Sequence, residues 1–220
     1  MATLRPELTE LPPRMRRLPL DHRGYPVPWF VPWIDGVAEF RATDAGKFLA
    51  AVRGQRCWIC GEPLGRYLTF ALGPMCTITR TTSEPPCHHE CATFAARNCP
   101  FLVRPHMVRR EDDFTRSLDT VGIMLARNPG VVALWTAHGY EMWRDPLGKP
   151  LLTVGEPVRT VEWYCEGRAA TRAEVEAAIA SGFPALDAMC DQEREAERET
   201  ARRALQAAKA RALSWLPAEA

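Results

Sequence analysis

Six of the eight cysteines and two of the five histidines lie between Cys57 and Cys99, in the runs CWICGEPLG, YLTFALGPMCTITRT and EPPCHHECATFAARNC. Thiolates and imidazoles in this density suit a borderline-soft cation, above all Zn2+, which takes four N/S ligands in a tetrahedron. Cys57-Trp58-Ile59-Cys60-Gly61 supplies the first pair. Two intervening residues allow a tight turn that aims both thiolates at one ion, and Gly61 can adopt the backbone such a turn needs. His88-His89-Glu90-Cys91 supplies the second pair. On a helix, residues three apart share a face, so His88 and Cys91 can grip one metal from a first turn. The expected ligands are Cys57, Cys60, His88 and Cys91.

Other assignments of the same residues stay open at this point. Cys87 and Cys91 are four apart and would also share a helical face. Cys76 and Cys99 could replace a ligand or be buried as small apolar residues. An iron–sulfur cluster uses the same ligands as zinc. A redox CxxC usually opens a helix, and Gly61-Glu62-Pro63-Leu64-Gly65 is a poor helix start. Cys165 and Cys190 lie outside the cluster.

These residues need elements to hold them. Tyr67–Leu72 is rich in strand formers, Gly73-Pro74 reads as a turn, and Met75–Thr81 reads as a returning strand. Pro85-Pro86 suits the entry to a helix that continues through Ala92–Asn98 and stops at Cys99-Pro100. Knuckle, hairpin and ligand-bearing helix is the order of a treble clef. Upstream, Thr43-Asp44 starts a helix that Gly54 ends. Before that, GYPVPWFVPWIDGVAEFR predicts two short strands about an Asp35-Gly36 turn, with Tyr25, Trp29, Phe30 and Trp33 covering the metal module. Residues 1–28 hold six prolines and read as an extended arm, with Arg14, Arg16 and Arg17 in a solvated run.

Beyond the module, Asn128-Pro129-Gly130 is a sharp turn. Val131–Thr136, Tyr140–Trp143, Leu151–Val154 and Val158–Tyr164 predict an antiparallel meander with Trp135, Trp143 and Trp163 in its core. Thr171-Arg172-Ala173-Glu174 is a capping box opening a helix to about Ser181-Gly182. Phe183-Pro184 should link it to a second helix over 185–214, polar on nearly all faces across 191–203. The fold class expected is α+β: a zinc-stabilised treble-clef-like module joined to a small antiparallel β-meander and C-terminal helices. The divisions are a proline-rich arm (1–28), the zinc module (29–110), the meander region (111–170) and a helical region (171–220).

Composition narrows the function classes. With 220 residues, 46% hydrophobic content and a net charge of +1, the chain is globular and gives no whole-chain case for nucleic acid. No apolar run approaches the ~20 residues of a membrane span. The N-terminus lacks the apolar core of a secretory signal. Clustered cysteines without a disulfide-scaffold pattern point to a reducing, cytoplasmic setting. The best local basic cluster is Arg104, His106, Arg109 and Arg110, just downstream of the ligand helix, with Glu111, Asp112 and Asp113 after it.

The stretches RLPLDHRGYPVPWFVPWIDG, CWICGEPLGRYLTFALGPMC, EPPCHHECATFAARNCPFL and EGRAATRAEVEAAIASGFP resemble an uncharacterised family of bacterial and phage-associated proteins, over most of residues 17–184. The resemblance implies a bacterial or phage cytosol and a metal at Cys57, Cys60, His88 and Cys91. Cys87 matches it less well. It implies no activity. The module also resembles the treble clefs of HNH nucleases, which place a general-base histidine on the hairpin. Residues 67–81 carry neither histidine nor carboxylate, and His89 is the one spare imidazole beside the site.

Three functions are expected, in order. A non-catalytic nucleic-acid-binding module comes first, with Arg97, Arg104, Arg109 and Arg110 on phosphates and Arg66 and Arg80 on the expected hairpin. A protein-interaction or structural adaptor comes second. A metal-dependent nuclease using His89 comes last.

Overall fold

The computed structural model describes residues 3–8, 10–104 and 130–219. Strand β5 (Val132–Ala137) is buried along its whole length. It lies between β3 (Leu68–Leu72) and β8 (Glu162–Cys165), and β9 (Arg168–Ala169) completes a four-stranded antiparallel sheet in the order β3-β5-β8-β9. Side chains alternate across a strand. Ala133, Trp135 and Ala137 therefore join Leu68, Phe70, Leu72 and Trp163 on one face. Val132 and Leu134 join Tyr164 on the other. The run VVALWTA, apolar but for Thr136, whose hydroxyl meets that of Thr69 at 3.0 Å, is what a strand covered on both faces requires.

One face carries helices: α2 (Pro74–Thr79), α5 (Arg172–Asp191) and α6 (Glu195–Ala212), which pack on one another and bury Val175, Ile179, Leu186 and Leu205. The 3-10 turn Leu213–Trp215 closes this layer. Trp215 meets Trp135 edge-on at 4.4 Å, and its carbonyl accepts from Trp163 Nε1 at 2.8 Å. The other face carries α1 (Ala45–Arg53), the Cys57–Cys60 turn and α3 (His89–Asn98), followed by the short α4 (Pro100–Val103). A second sheet, ordered β4-β7-β6, is built from β4 (Thr81–Thr82), β6 (Tyr140–Arg144) and β7 (Pro150–Val154). The hairpin of β1 (Trp33–Ile34) and β2 (Val37–Ala38) turns at Asp35 and Gly36, both at positive φ, as a two-residue turn of this hand demands.

The mixed α+β class agrees with the sequence, and so do the Asp44 cap of α1 and the reciprocal Thr171–Glu174 capping box of α5. Four expectations need correction. The returning strand of the hairpin is absent: Gly73-Pro74 caps α2, and β3 pairs with β5 instead. Proline at a first helical position loses no hydrogen bond, and Thr77 Oγ1 donates back to the Gly73 carbonyl at 3.0 Å. The meander is split between two sheets, because doubly covered β5 takes apolar neighbours on both sides, while β6, exposed at Glu141, Met142, Trp143 and Arg144, suits an edge. Trp143 is therefore a surface residue, unlike buried Trp135 and Trp163. Helix α5 does not stop at Phe183-Pro184 but runs to Asp191. An interior proline costs about 3 kcal/mol, and burying Leu186 and Cys190 beyond it offsets that cost. Finally, residues 10–28 are not an extended arm. They form a 3-10 turn at Pro13–Met15 that buries Met15, and Val27 is buried too.

Candidate metal centre

The ligand atoms of Cys57, Cys60, His88 and Cys91 all lie within 4.8 Å of one another. A tetrahedral zinc site with ordinary Zn–S and Zn–N bonds has edges of about 3.6–3.8 Å. The four groups thus stand at coordination spacing around one point. The three cysteines are buried and His88 is half-buried.

Local structure explains the convergence. The chain folds back at Cys57–Gly61, where the Gly61 N–H donates to the Cys57 carbonyl at 2.8 Å and Cys57 N–H donates to the Glu62 carbonyl at 2.8 Å. Gly61 has φ +76, and a Cβ there would sit 2.6 Å from the Trp29 ring. Only glycine satisfies both the left-handed backbone and the contact. His88 is the N-cap of α3 and Cys91 lies in its first turn, so the helix start presents both toward the knuckle. The Trp58 N–H donates to the Pro86 carbonyl at 3.0 Å, stitching the two halves together.

The surroundings also orient the donors. Backbone N–H groups of Cys60 and His88 point at Cys57 Sγ, at 3.5 and 3.4 Å. Such bonds favour the thiolate. His88 Nε2 lies 3.0 Å from the Pro63 carbonyl, which can only accept, so Nε2 carries the proton. Nδ1 faces the cluster, 3.3 Å from Cys60 Sγ, and is the nitrogen placed to bind a cation once it gives up its proton. A ligand histidine held through its other nitrogen by a carbonyl is the usual arrangement at a metal.

The thiols share charge unequally. Hydrogen bonding from Cys60, then Cys87 and Cys91, holds the Cys57 thiol far below its ordinary pKa. Cys91 is pushed far up, first by its hydrogen bond to Cys57 and then by Cys60 and burial. Cys87 is raised by the hydrogen bond to Cys57 and by burial. The raised thiols must lose their protons to take a cation, which makes metal affinity pH-dependent.

Cys87 is beside the site but outside the four. Its backbone exchanges two hydrogen bonds with Thr69 at 2.7 and 3.0 Å, which fixes it as an antiparallel bridge alongside β3 rather than a helical residue. Pro85-Pro86 accordingly precede a strand-like bridge, not the helix itself. Burial pushes the Cys76 thiol, on α2, up to about 11, and raises Cys99 as well. Neither stands among the metal-spaced ligands. His89 turns away, with Nε2 2.6 Å from Glu162, whose other oxygen accepts from the Tyr164 hydroxyl at 3.3 Å.

Two further parts of the site escape a reading of residue types. The Pro63 carbonyl is a backbone group that no side chain advertises. The arginines of the N-terminal segment close the site from outside: Arg14 reaches Glu62 at 2.7 Å and Glu90 at 3.0 Å, and Arg17 reaches Glu62 at 2.5 Å. Glu62, next to Gly61, is the local signal that could have suggested a basic partner. Trp29 N–H donates to the Ile59 carbonyl and Phe30 stacks on Trp58 at 4.7 Å, so these two aromatics cover the module, whereas Trp33 is exposed and Tyr25 lies against Arg5 and Arg23.

The expected phosphate contacts are spread out. Arg97, in the last turn of α3, has its guanidinium 5.7 Å from the centre of the Tyr164 ring. Arg104 follows α4 and is exposed. His106, Arg109, Arg110, the acidic run Glu111–Asp113 and the Asn128-Pro129 part of the expected turn lie outside the described residues. Arg80 ion-pairs with Glu156. Among the described residues no other group of metal-ligating side chains is gathered, and no helix is long and apolar enough to cross a membrane. No family model, curated protein or solved structure matches the chain.

Proposed function

We propose that Cys57, Cys60, His88 and Cys91 bind one Zn2+ that holds the fold, and that the protein is a non-catalytic nucleic-acid-binding module of a bacterial or phage cytoplasm. The observation that carries the zinc assignment is the closed donor set: three thiols and an imidazole whose far nitrogen is already tied to Pro63. Four protein ligands leave no position for an activated water, which is the mark of structural rather than catalytic zinc. A ligand-bearing knuckle followed by a helix whose first turn supplies the second pair is the treble-clef order. We read the module as treble-clef-like, with β3, α2 and β4 in place of the hairpin.

Nucleic-acid binding is supported by exposed arginines near the module, Arg66 and Arg97 among them. Its test is a binding titration at increasing salt. Affinity for a mixed-sequence oligonucleotide should fall linearly with the logarithm of salt, with a slope of about −0.7 to −0.9 per phosphate neutralised. Absence of binding at low salt would reject this half of the proposal and leave the zinc assignment untouched.

A second reading, a protein-interaction adaptor, is favoured by α6. Its charges are largely paired, Arg203 with Glu199 inside the helix, Glu197 with the N-cap Arg194, and Arg202 and Lys209 with Asp191 and Asp187 of α5, and it presents a long, exposed face. Such a surface is a poor phosphate binder.

A further inference from the structure

We propose that an exposed aromatic and basic patch around Tyr67 binds single-stranded nucleic acid, with one base against the Tyr67 ring and a phosphate between Arg66 and Arg159. This rests on the nucleic-acid reading and gives it a site that the sequence alone does not show.

The patch is assembled from three distant segments. Tyr67 immediately precedes β3, and His138 immediately follows β5. The pairing of Leu68 with Ala137 sets them side by side, with ring centroids 5.4 Å apart. Arg159 comes from the loop between β7 and β8, fixed by the Val158 N–H donating to the Thr136 carbonyl at 2.9 Å. Its guanidinium lies 4.6 Å from the centre of the Tyr67 ring. Arg66 Cζ stands 6.0 Å from the same centre. All four side chains are exposed, Tyr67 at 45%.

Charge is what marks this patch. Many of the protein's arginines are neutralised by carboxylates: Arg14, Arg17, Arg23, Arg80 and Arg168 are each ion-paired. Among the described residues, Arg66 and Arg159 meet none, and they converge on one aromatic ring. Glu156 and Glu162, each three residues from Arg159, are held by Arg80 and His89. Two unpaired guanidiniums about an exposed ring form a surface complementary to phosphate beside a stacked base. Bases offer their faces only when unpaired, so the ligand is a single strand. A base entering over Tyr67 takes the place of the Arg159 guanidinium, which then turns to the adjoining phosphate. The zinc site bears on this directly. The Pro63 carbonyl that orients His88 belongs to the loop delivering Arg66 and Tyr67 to the surface.

The test is fluorescence anisotropy of the zinc-loaded, full-length protein with a labelled oligothymidine strand long enough to fill a site of ~4–16 nucleotides. The same strand annealed to its complement is measured alongside. Tyr67→Ala should weaken single-strand binding by about tenfold or more. Tyr67→Phe should retain binding, since the ring and not the hydroxyl stacks. Arg66→Ala with Arg159→Ala should reduce the salt slope by about 1.4, two phosphate contacts at ~0.7 each. Arg211→Ala, on α6, is the control and should bind as the parent does. Because the patch side chains are exposed, melting temperature should not move. Binding that is unchanged in both the tyrosine and the double arginine variants would overturn the patch while sparing the nucleic-acid reading. A preference for duplex over single strand would also overturn it. Failure of the parent protein to bind either form at low salt would remove the reading on which it rests.

Discussion

The two faces of the central sheet are held by different means. The face under α2, α5 and α6 buries Trp135, Phe70, Leu72, Ile78 and Ile179 at 1% exposure or less. The opposite face has Val132, Leu134 and Tyr164 from the sheet, but its centre is Cys57, Cys60, Cys87 and Cys91, with Met15, Phe48, Trp58 and Phe94 around them. Thiols contribute little apolar area. If the four ligands hold zinc as proposed, the ion does there what large side chains do on the other face. One sheet thus serves a greasy layer and a coordinated layer, and the two should fail independently.

The largest effect expected is from Cys57→Ser. Zinc binding in small modules is worth about 10–16 kcal/mol, comparable to the ~5–15 kcal/mol stability of a whole domain. The variant should lose metal and lose amide protection in α3 and residues 55–66, while α5 keeps more of its own. Hydrogen exchange read by mass spectrometry distinguishes this from uniform unfolding, which would erase the contrast between the layers.

Trp135→Ala probes the other face. Truncating a fully buried tryptophan costs about 3–5 kcal/mol, and the Nε1 bond to the Gly155 carbonyl and the contact with Trp215 go with it. The melting temperature should fall sharply, yet the folded fraction should keep its full zinc content. Loss of zinc in step with this destabilisation would show that the layers are coupled.

The smallest effect concerns pH. The Arg168 guanidinium, then the Thr171 N–H, hold the Glu174 carboxyl down to about 2. A depressed carboxylate stabilises the fold above its unfolded pKa, near 4.5. That contribution disappears as pH falls from there through about 2. Because Arg168 is exposed to solvent, screening keeps the contribution small. Glu174→Gln should therefore lower stability slightly at neutral pH and remove the difference from the parent in acid, as paired melting curves would show.

The legibility of the molecule in its sequence tracks the range of the forces involved. Cys57, Cys60, His88 and Cys91 are readable because two local spacings, a knuckle and a helix start, are short-range geometry. Spacing does not settle the choice between Cys87 and His88. The pairing of Cys87 with Thr69, a contact eighteen residues apart in the chain, gives Cys87 a strand backbone and leaves His88 to cap the helix. Gly73-Pro74 is an equally good turn and helix cap, and the conformation of residues 75–79 depends on which strand reaches β3. The Tyr67 patch is invisible for the same reason, since only the register of β3 on β5 brings Tyr67 beside His138. The capping box of α5 is legible to the residue, but the helix length is not, because Pro184 is tolerated only where distant burial offsets its cost.

The most direct measurement is the metal content of the purified, untagged protein by plasma mass spectrometry, with Cys57→Ser prepared in parallel. A structural site at Cys57, Cys60, His88 and Cys91 predicts about one zinc per folded chain and none retained by the variant. A folded parent protein that carries no metal and takes up none when zinc is added, or one that carries iron in place of zinc, would contradict it.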